Sequence, residues 1–139
     1  MVKRLDRAPE RAVCSRLAMP TVLVVEDETL IRMHITDTFR DCGFEVIEAA
    51  TAAAAIEHLQ SHSVDAVFTD ITLPGGADGF AVARWAREHR PGLPVVLSSG
   101  EITAAHAQGV SAQEPFFAKP CDYAEVAAFI RGLVENCRV

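Results

Sequence analysis

The sequence predicts one doubly wound α/β domain built on a five-stranded parallel sheet with helices on both faces. Three observations lead there. From Thr21 onward, short β-branched runs alternate with longer stretches of helical spacing, the pattern of repeated strand–helix units. Two of the runs, Val22 to Val25 and Pro94 to Leu97, are continuously apolar, as strands become when helices cover both sides of a sheet. Half of the 139 residues are hydrophobic and 23% are charged, a balance that can bury a core and argues against a disordered chain.

The elements follow in order. Residues 1–19 lack periodicity and form an expected flexible basic tail, ending at Met19, which could itself be the start of translation. The domain is expected over 20–137. Strands are predicted at 21–25, 44–48, 65–69, 94–98 and 115–118, and helices near 29–41, 52–61, 78–89, 103–110 and 122–136. Leu30, Met33, His34 and Asp37 mark the first helix, and Cys42-Gly43 its stop. Thr51 is the expected N-cap of the second, with Ile56 and Leu59 facing inward. Asp122 is the expected cap of the last, whose Val126, Phe129, Ile130 and Leu133 fall at helical spacing. The 103–110 helix is short and interrupted at Gly109, so mobility is expected there.

Charge and cysteine usage exclude several function classes. The net charge is −6. Residues 1–19 hold five basic and two acidic residues, a net +3, so the remainder stands at −9. A surface of that sign repels a phosphate backbone, so nucleic acid is not expected as a partner. No apolar run approaches membrane-spanning length and no signal-peptide core opens the chain, so a soluble cytoplasmic protein is expected without a membrane partner. Cys14, Cys42, Cys121 and Cys137 form no CxxC pair and are read as reduced thiols. Trp85 and the histidines, His34, His58, His62, His89 and His106, are read as structural.

In open parallel sheets the functional crevice lies outside the carboxyl ends of the strands. Strand one ends in Glu26-Asp27-Glu28, strand three in Asp70, strand four in Ser98-Ser99-Gly100 and strand five in Lys119-Pro120; strand two ends in Glu48-Ala49-Ala50 and adds little. If strands one, three, four and five are neighbours, Glu26, Asp27 and Asp70 converge and repel unless a cation sits among them. Hard oxygen ligands that leave open positions suit Mg²⁺. Lys119 is a point charge able to hold a phosphoryl oxygen, and Ser99 offers a hydroxyl to another. An aspartate so flanked can act as nucleophile in phosphoryl transfer.

These residues resemble the receiver domain of two-component response regulators, over about Pro20 to Cys137. Val24-Val25-Glu26-Asp27-Glu28 is similar to that family's acidic pair after strand one, and Thr69-Asp70-Ile71-Thr72-Leu73-Pro74 to its phospho-acceptor segment. Ser99-Gly100 resembles its hydroxyl switch position, and Phe116-Phe117-Ala118-Lys119-Pro120 its aromatic switch and Lys-Pro pair. The resemblance implies a flavodoxin-like sheet of order 2-1-3-4-5 and a cis Lys119–Pro120 bond. It implies Asp70 as phospho-acceptor, and Mg²⁺ held by Glu26, Asp27, Asp70 and the Thr72 carbonyl. It further implies that Ser99 and Lys119 bind the phosphoryl group, that Phe116 turns inward on activation, and that Thr72 and Glu101 tune acyl-phosphate lifetime. The sequence departs from the family at three places: a Pro74-to-Gly79 loop one residue longer than the commoner form, Ser for Thr at 99, and Phe without a phenolic hydroxyl at 116.

The expected function is a stand-alone receiver, phosphorylated on Asp70 by a sensor histidine kinase or histidine phosphotransfer protein. Because no DNA-binding module follows the last helix, output to a downstream protein target is expected through Ile102 to Val110, Phe116 to Ala118 and the final helix. A phosphorylated homodimer and a phosphorelay intermediate fit the same residues. The alternative is a receiver-like binding module that works without phosphorylation. A dehalogenase-type phosphohydrolase would need a DxD motif after strand one, which Val25-Glu26-Asp27-Glu28 lacks.

Overall fold

In a computed structural model of the chain, residues 19–100 and 114–137 are described. The predicted 103–110 helix, Glu101 and residues 1–18 lie outside them. The chain forms β1 (Thr21–Val25), α1 (Thr29–Asp41), β2 (Glu45–Ala49), α2 (Ala52–Ser61), β3 (Ala66–Asp70), α3 (Gly79–His89), β4 (Val95–Ser99), β5 (Phe116–Ala118) and α4 (Tyr123–Cys137). The five strands pair in parallel in the order β2-β1-β3-β4-β5, the order the resemblance implied.

Alternation along the strands divides the interior into two cores, because successive side chains point to opposite faces. Leu23, Val25, Val67, Val95 and Leu97 face α2 and α3, where Ala52, Ala55, Leu59, Val82, Ala83 and Ala86 complete the packing. Val22, Val24, Ala66, Phe68 and Val96 face α1 and α4, meeting Ile35, Phe39, Val126, Ala127, Ile130 and Val134. Phe39 joins the rings, with Phe44 at 5.9 Å and Phe68 at 5.7 Å.

The caps agree with the residue chemistry. Thr51 Oγ1 accepts the Ala54 N–H at 3.1 Å and Asp122 Oδ1 that of Ala124 at 2.9 Å. Asp78, not singled out by its sequence neighbours, caps α3 by accepting the Ala81 N–H at 3.1 Å. The α1 helix stops where Gly43 N–H donates to Arg40 O and Phe44 N–H to Phe39 O.

The helices show which of their spaced positions face the core. Leu30 and Met33 are 79% and 51% exposed, and the buried stripe of α1 is Ile35, Thr36 and Phe39. Both stripes have helical spacing, so periodicity alone does not choose between them; the Phe39 ring, fully buried against Phe44 and Phe68, decides it. In α2 the buried positions are Ala52, Ala55 and Leu59, and Ile56 is half-buried beside them. In α4, Phe129 is 40% exposed and meets Phe117 edge to face at 5.4 Å. Cys42 and Cys121 are free thiols. Among the described residues, the rings read as structural are partnered: His34 with Tyr123, His58 with His62, and Trp85 stacked on His89 at 4.2 Å; His106 lies outside them.

Candidate functional site

The carboxyl ends of β1, β3, β4 and β5 meet because β1 pairs with β3, β3 with β4 and β4 with β5. Register sets the residues side by side: Asp70 pairs with Ser98, and Ser99 with Ala118. Glu26 leaves β1 with its N–H still bonded to Ala49 O at 3.0 Å. Lys119 leaves β5 with its N–H bonded to Ser99 O at 2.9 Å. The Lys119–Pro120 bond is cis.

Lys119 Nζ donates to Glu26 Oε1 at 2.8 Å and to Asp70 Oδ2 at 3.2 Å. One ammonium thus bridges two carboxylates from different strands. Glu26 Oε2 accepts the Glu28 N–H at 3.2 Å, and Asp70 Oδ1 accepts that of Thr72 at 3.4 Å. Glu26 is buried, Asp70 half-buried and Asp27 exposed, and each offers an oxygen within 4.8 Å of the others.

Burial pushes the Glu26 and Asp70 carboxyls above their ordinary pKa values, against the opposing pull of Lys119. Burial also works against the charge of Lys119, but its bond to Glu26 and the charge of Asp70 outweigh that, leaving its pKa raised. Three carboxylates gather here, and one ammonium bridges two of them. An all-oxygen donor set of this kind, open on the Asp27 side, fits a hard divalent cation such as Mg²⁺.

The other candidates sit around this centre. Ser99 is buried at the end of β4, and Thr72 is exposed just after β3. Phe116 is half-buried at the start of β5 and packs against the core shared with α2 and α3. The loop between β3 and α3 turns at Gly75 and Gly76, at φ +93° and +90°, a left-handed conformation that glycine adopts without strain.

Two residues near the site gave no signal in the linear sequence. Arg32 on α1 donates from Nη1 to Glu26 O at 2.8 Å and from Nε to Glu48 Oε1 at 2.9 Å. Glu48, at the strand end expected to add little, thus connects to the acidic loop. The pair is separated by 16 residues and meets because β1 and β2 are neighbours.

The model of the response regulator receiver domain matches residues 22–131. A response regulator receiver protein of Anaeromyxobacter sp. strain Fw109-5 is 33% identical over 109 residues, 78% of this chain and 43% of that protein. The crystal structure of a response regulator receiver protein from Sinorhizobium medicae WSM419 is 31% identical, with a TM-score of 0.79 over 87% of this chain and 98% of that one. The response regulator TrrA of Thermotoga maritima, solved with Mg²⁺ and BeF, shares the fold at 24% identity and a TM-score of 0.75, over 83% and 99% of the two chains. The chain spans about half or less of the length of the curated relatives it matches. No helix among the described residues is long and apolar enough to cross a membrane. Matched along most of its length in both sequence and fold, the chain belongs to the response regulator receiver domain family.

Proposed function

We propose that this receiver takes a phosphoryl group onto Asp70 in a Mg²⁺-dependent step, from a histidine kinase or a histidine phosphotransfer protein. The observation that carries the reading is the Lys119 ammonium shared between Glu26 and Asp70 in a cluster of three acids. Glu26, Asp27 and Asp70 would hold the ion together with the Thr72 carbonyl. Bound there, Mg²⁺ supplies positive charge that offsets the acids and the incoming phosphoryl oxygens.

Asp70 acts as nucleophile. A carboxylate oxygen forms a bond to phosphorus as the P–N bond of the donor phosphohistidine breaks, and the leaving imidazole nitrogen keeps the electron pair and takes up a proton. Lys119, already 3.2 Å from Asp70, holds one phosphoryl oxygen and the Ser99 hydroxyl another. Drawing both groups toward Asp70 shifts β5, on which Phe116 sits, toward its activated arrangement. Thr72 and Glu101 would tune the lifetime of the acyl phosphate. The signal then passes to a protein target through the side of β5 and α4, where Phe129 exposes apolar surface. The phosphorylated form is open to homodimer formation through that side.

The receiver module spans 20–137, with 1–19 a basic segment before it. We place its work in the cytoplasm, where the kinase's phosphohistidine is presented. The test is intact mass after incubation with acetyl phosphate and Mg²⁺, beside Asp70→Ala and a metal-free control. One added phosphoryl group in the wild type alone supports the reading. No addition, where another receiver is labelled in parallel, overturns it in favour of a binding module that works without phosphorylation.

A further inference from the structure

Glu26 is held at every polar atom. Its N–H bonds to Ala49 O, its Oε1 to Lys119 and its Oε2 to the Glu28 N–H, and its carbonyl accepts from Arg32 Nη1 at 2.8 Å. The first three contacts are made by the strand ladder, the charge partner and the acidic turn itself. The fourth comes from α1, and its donor is fixed from the far side: Arg32 Nε bonds to Glu48 Oε1 at 2.9 Å. The Arg32 side chain is 19% exposed and Glu48 37%. One planar guanidinium therefore ties the loop after β1 to the end of β2.

We infer that Arg32, oriented by Glu48, is a positioning residue for divalent-cation binding: it fixes the backbone from which Glu26 and Asp27 present their carboxylates. This rests on the Mg²⁺-dependent reading above. Mg²⁺ demands near-ideal octahedral geometry, so the direction of the peptide between two ligand-bearing residues bears directly on affinity. Partners that orient metal ligands typically alter affinity about 10- to 100-fold when removed. Lysine cannot take over, because its ammonium lacks the fork that reaches a carbonyl and a carboxylate in one plane.

Charge and positioning predict opposite results, which makes the inference testable. Arg32 is a cation beside an acidic cluster, so if charge were its whole effect, removing it would tighten Mg²⁺ binding and Arg32→Lys would leave it unchanged. As a positioning residue it weakens binding in both variants. The measurement is calorimetric titration of MgCl₂ into the full chain at fixed ionic strength, for wild type, Arg32→Lys, Arg32→Ala, Glu48→Ala and the double alanine variant. Thermal unfolding in EDTA selects variants that remain folded, and Arg32→Lys, which keeps charge and stem, carries the test if Arg32→Ala does not fold.

The expected result is a dissociation constant raised about tenfold or more in Arg32→Lys and Arg32→Ala. Glu48→Ala should weaken binding in the wild-type background at least about threefold more than it does beside Arg32→Ala, the coupling of two residues acting as one unit. Arg32→Lys within about twofold of wild type, or Arg32→Ala binding more tightly, overturns the inference while leaving the functional reading intact. Absence of Mg²⁺ binding by the wild type overturns both.

Discussion

Gly79→Ala tests the packing that holds Asp70, the proposed acceptor. Gly79 opens α3, its N–H donates to Ile71 O at 2.8 Å, and the helix start lies directly against the chain leaving β3. A Cβ at this position would stand 2.3 Å from Asp70 O, 2.9 Å from Ile71 Cα and 3.0 Å from Asp70 C. All three are backbone atoms, so no side chain can swing aside; either α3 or the Asp70 peptide must move by roughly 1 Å to reach ordinary contact distance. Overpacking of this kind costs about 1–3 kcal/mol, and the rigid obstacle places Gly79→Ala at the upper end. For a domain of this size that lowers the melting temperature by roughly 10 °C. Because the displaced peptide belongs to Asp70, acetyl-phosphate labelling should slow as well, by up to about 100-fold for a shift of 1 Å. Circular dichroism melting and time-resolved intact mass read the two effects. A variant within about 2 °C of wild type, a shift worth less than 1 kcal/mol, and labelled at the same rate would refute the account.

The opposite sign is expected for Gly132→Ala in α4, where an added Cβ meets nothing within 4 Å and the helix gains about 0.5–1 kcal/mol, read as a higher urea midpoint. Arg131→Ala removes a 2.8 Å bond to Cys42 O and a guanidinium 4.7 Å from the Phe44 ring centre, and should cost about 1 kcal/mol, read the same way. In EDTA, Asp70→Asn should be more stable than wild type at neutral pH, with the gap closing on acidification. The Asp70 pKa is raised in the folded state by burial, so the folded protein binds the proton more tightly. That contribution is complete below the unfolded-state pKa and is lost as pH rises through the folded one. A gap that does not change between neutral pH and the ordinary carboxylate range, followed by urea denaturation, would contradict it.

Much of this architecture is legible from residue pattern, and the misplacements have physical causes. The strands β2, β3 and β4 each begin and end one residue later than their apolar runs suggest. Apolar content ends at Thr69 or Ser98, yet the ladder continues, since Asp70 pairs with Ser98 and Ser99 with Ala118. Backbone pairing, blind to side-chain polarity, carries the chemical residues to the sheet edge. Glu26, Asp27, Asp70 and Lys119 were legible because each directly ends or follows an apolar run. Arg32 and Glu48 were not, since a helix residue and a strand-end residue 16 positions apart become neighbours only through sheet order. The Gly79 contact was equally hidden, because a glycine after an aspartate reads as an ordinary helix start.

The distribution of strength around the site bears on how it can respond. Glu26 directly follows β1, which is paired on both sides, and its carbonyl is held further by Arg32. Asp70 lies on β3, also paired on both sides, with Gly79 packed against its peptide. Lys119 follows β5, a three-residue edge strand paired with β4 alone. Its ammonium has three N–H donors and two of them go to carboxylates, and the segment carrying it follows the shortest strand of the sheet. Phe116 lies on that same strand, so a shift that draws Lys119 toward Asp70 carries the ring with it. The acidic half of the site is thus held more firmly than the basic half, the asymmetry that the proposed phosphorylation-dependent switch requires.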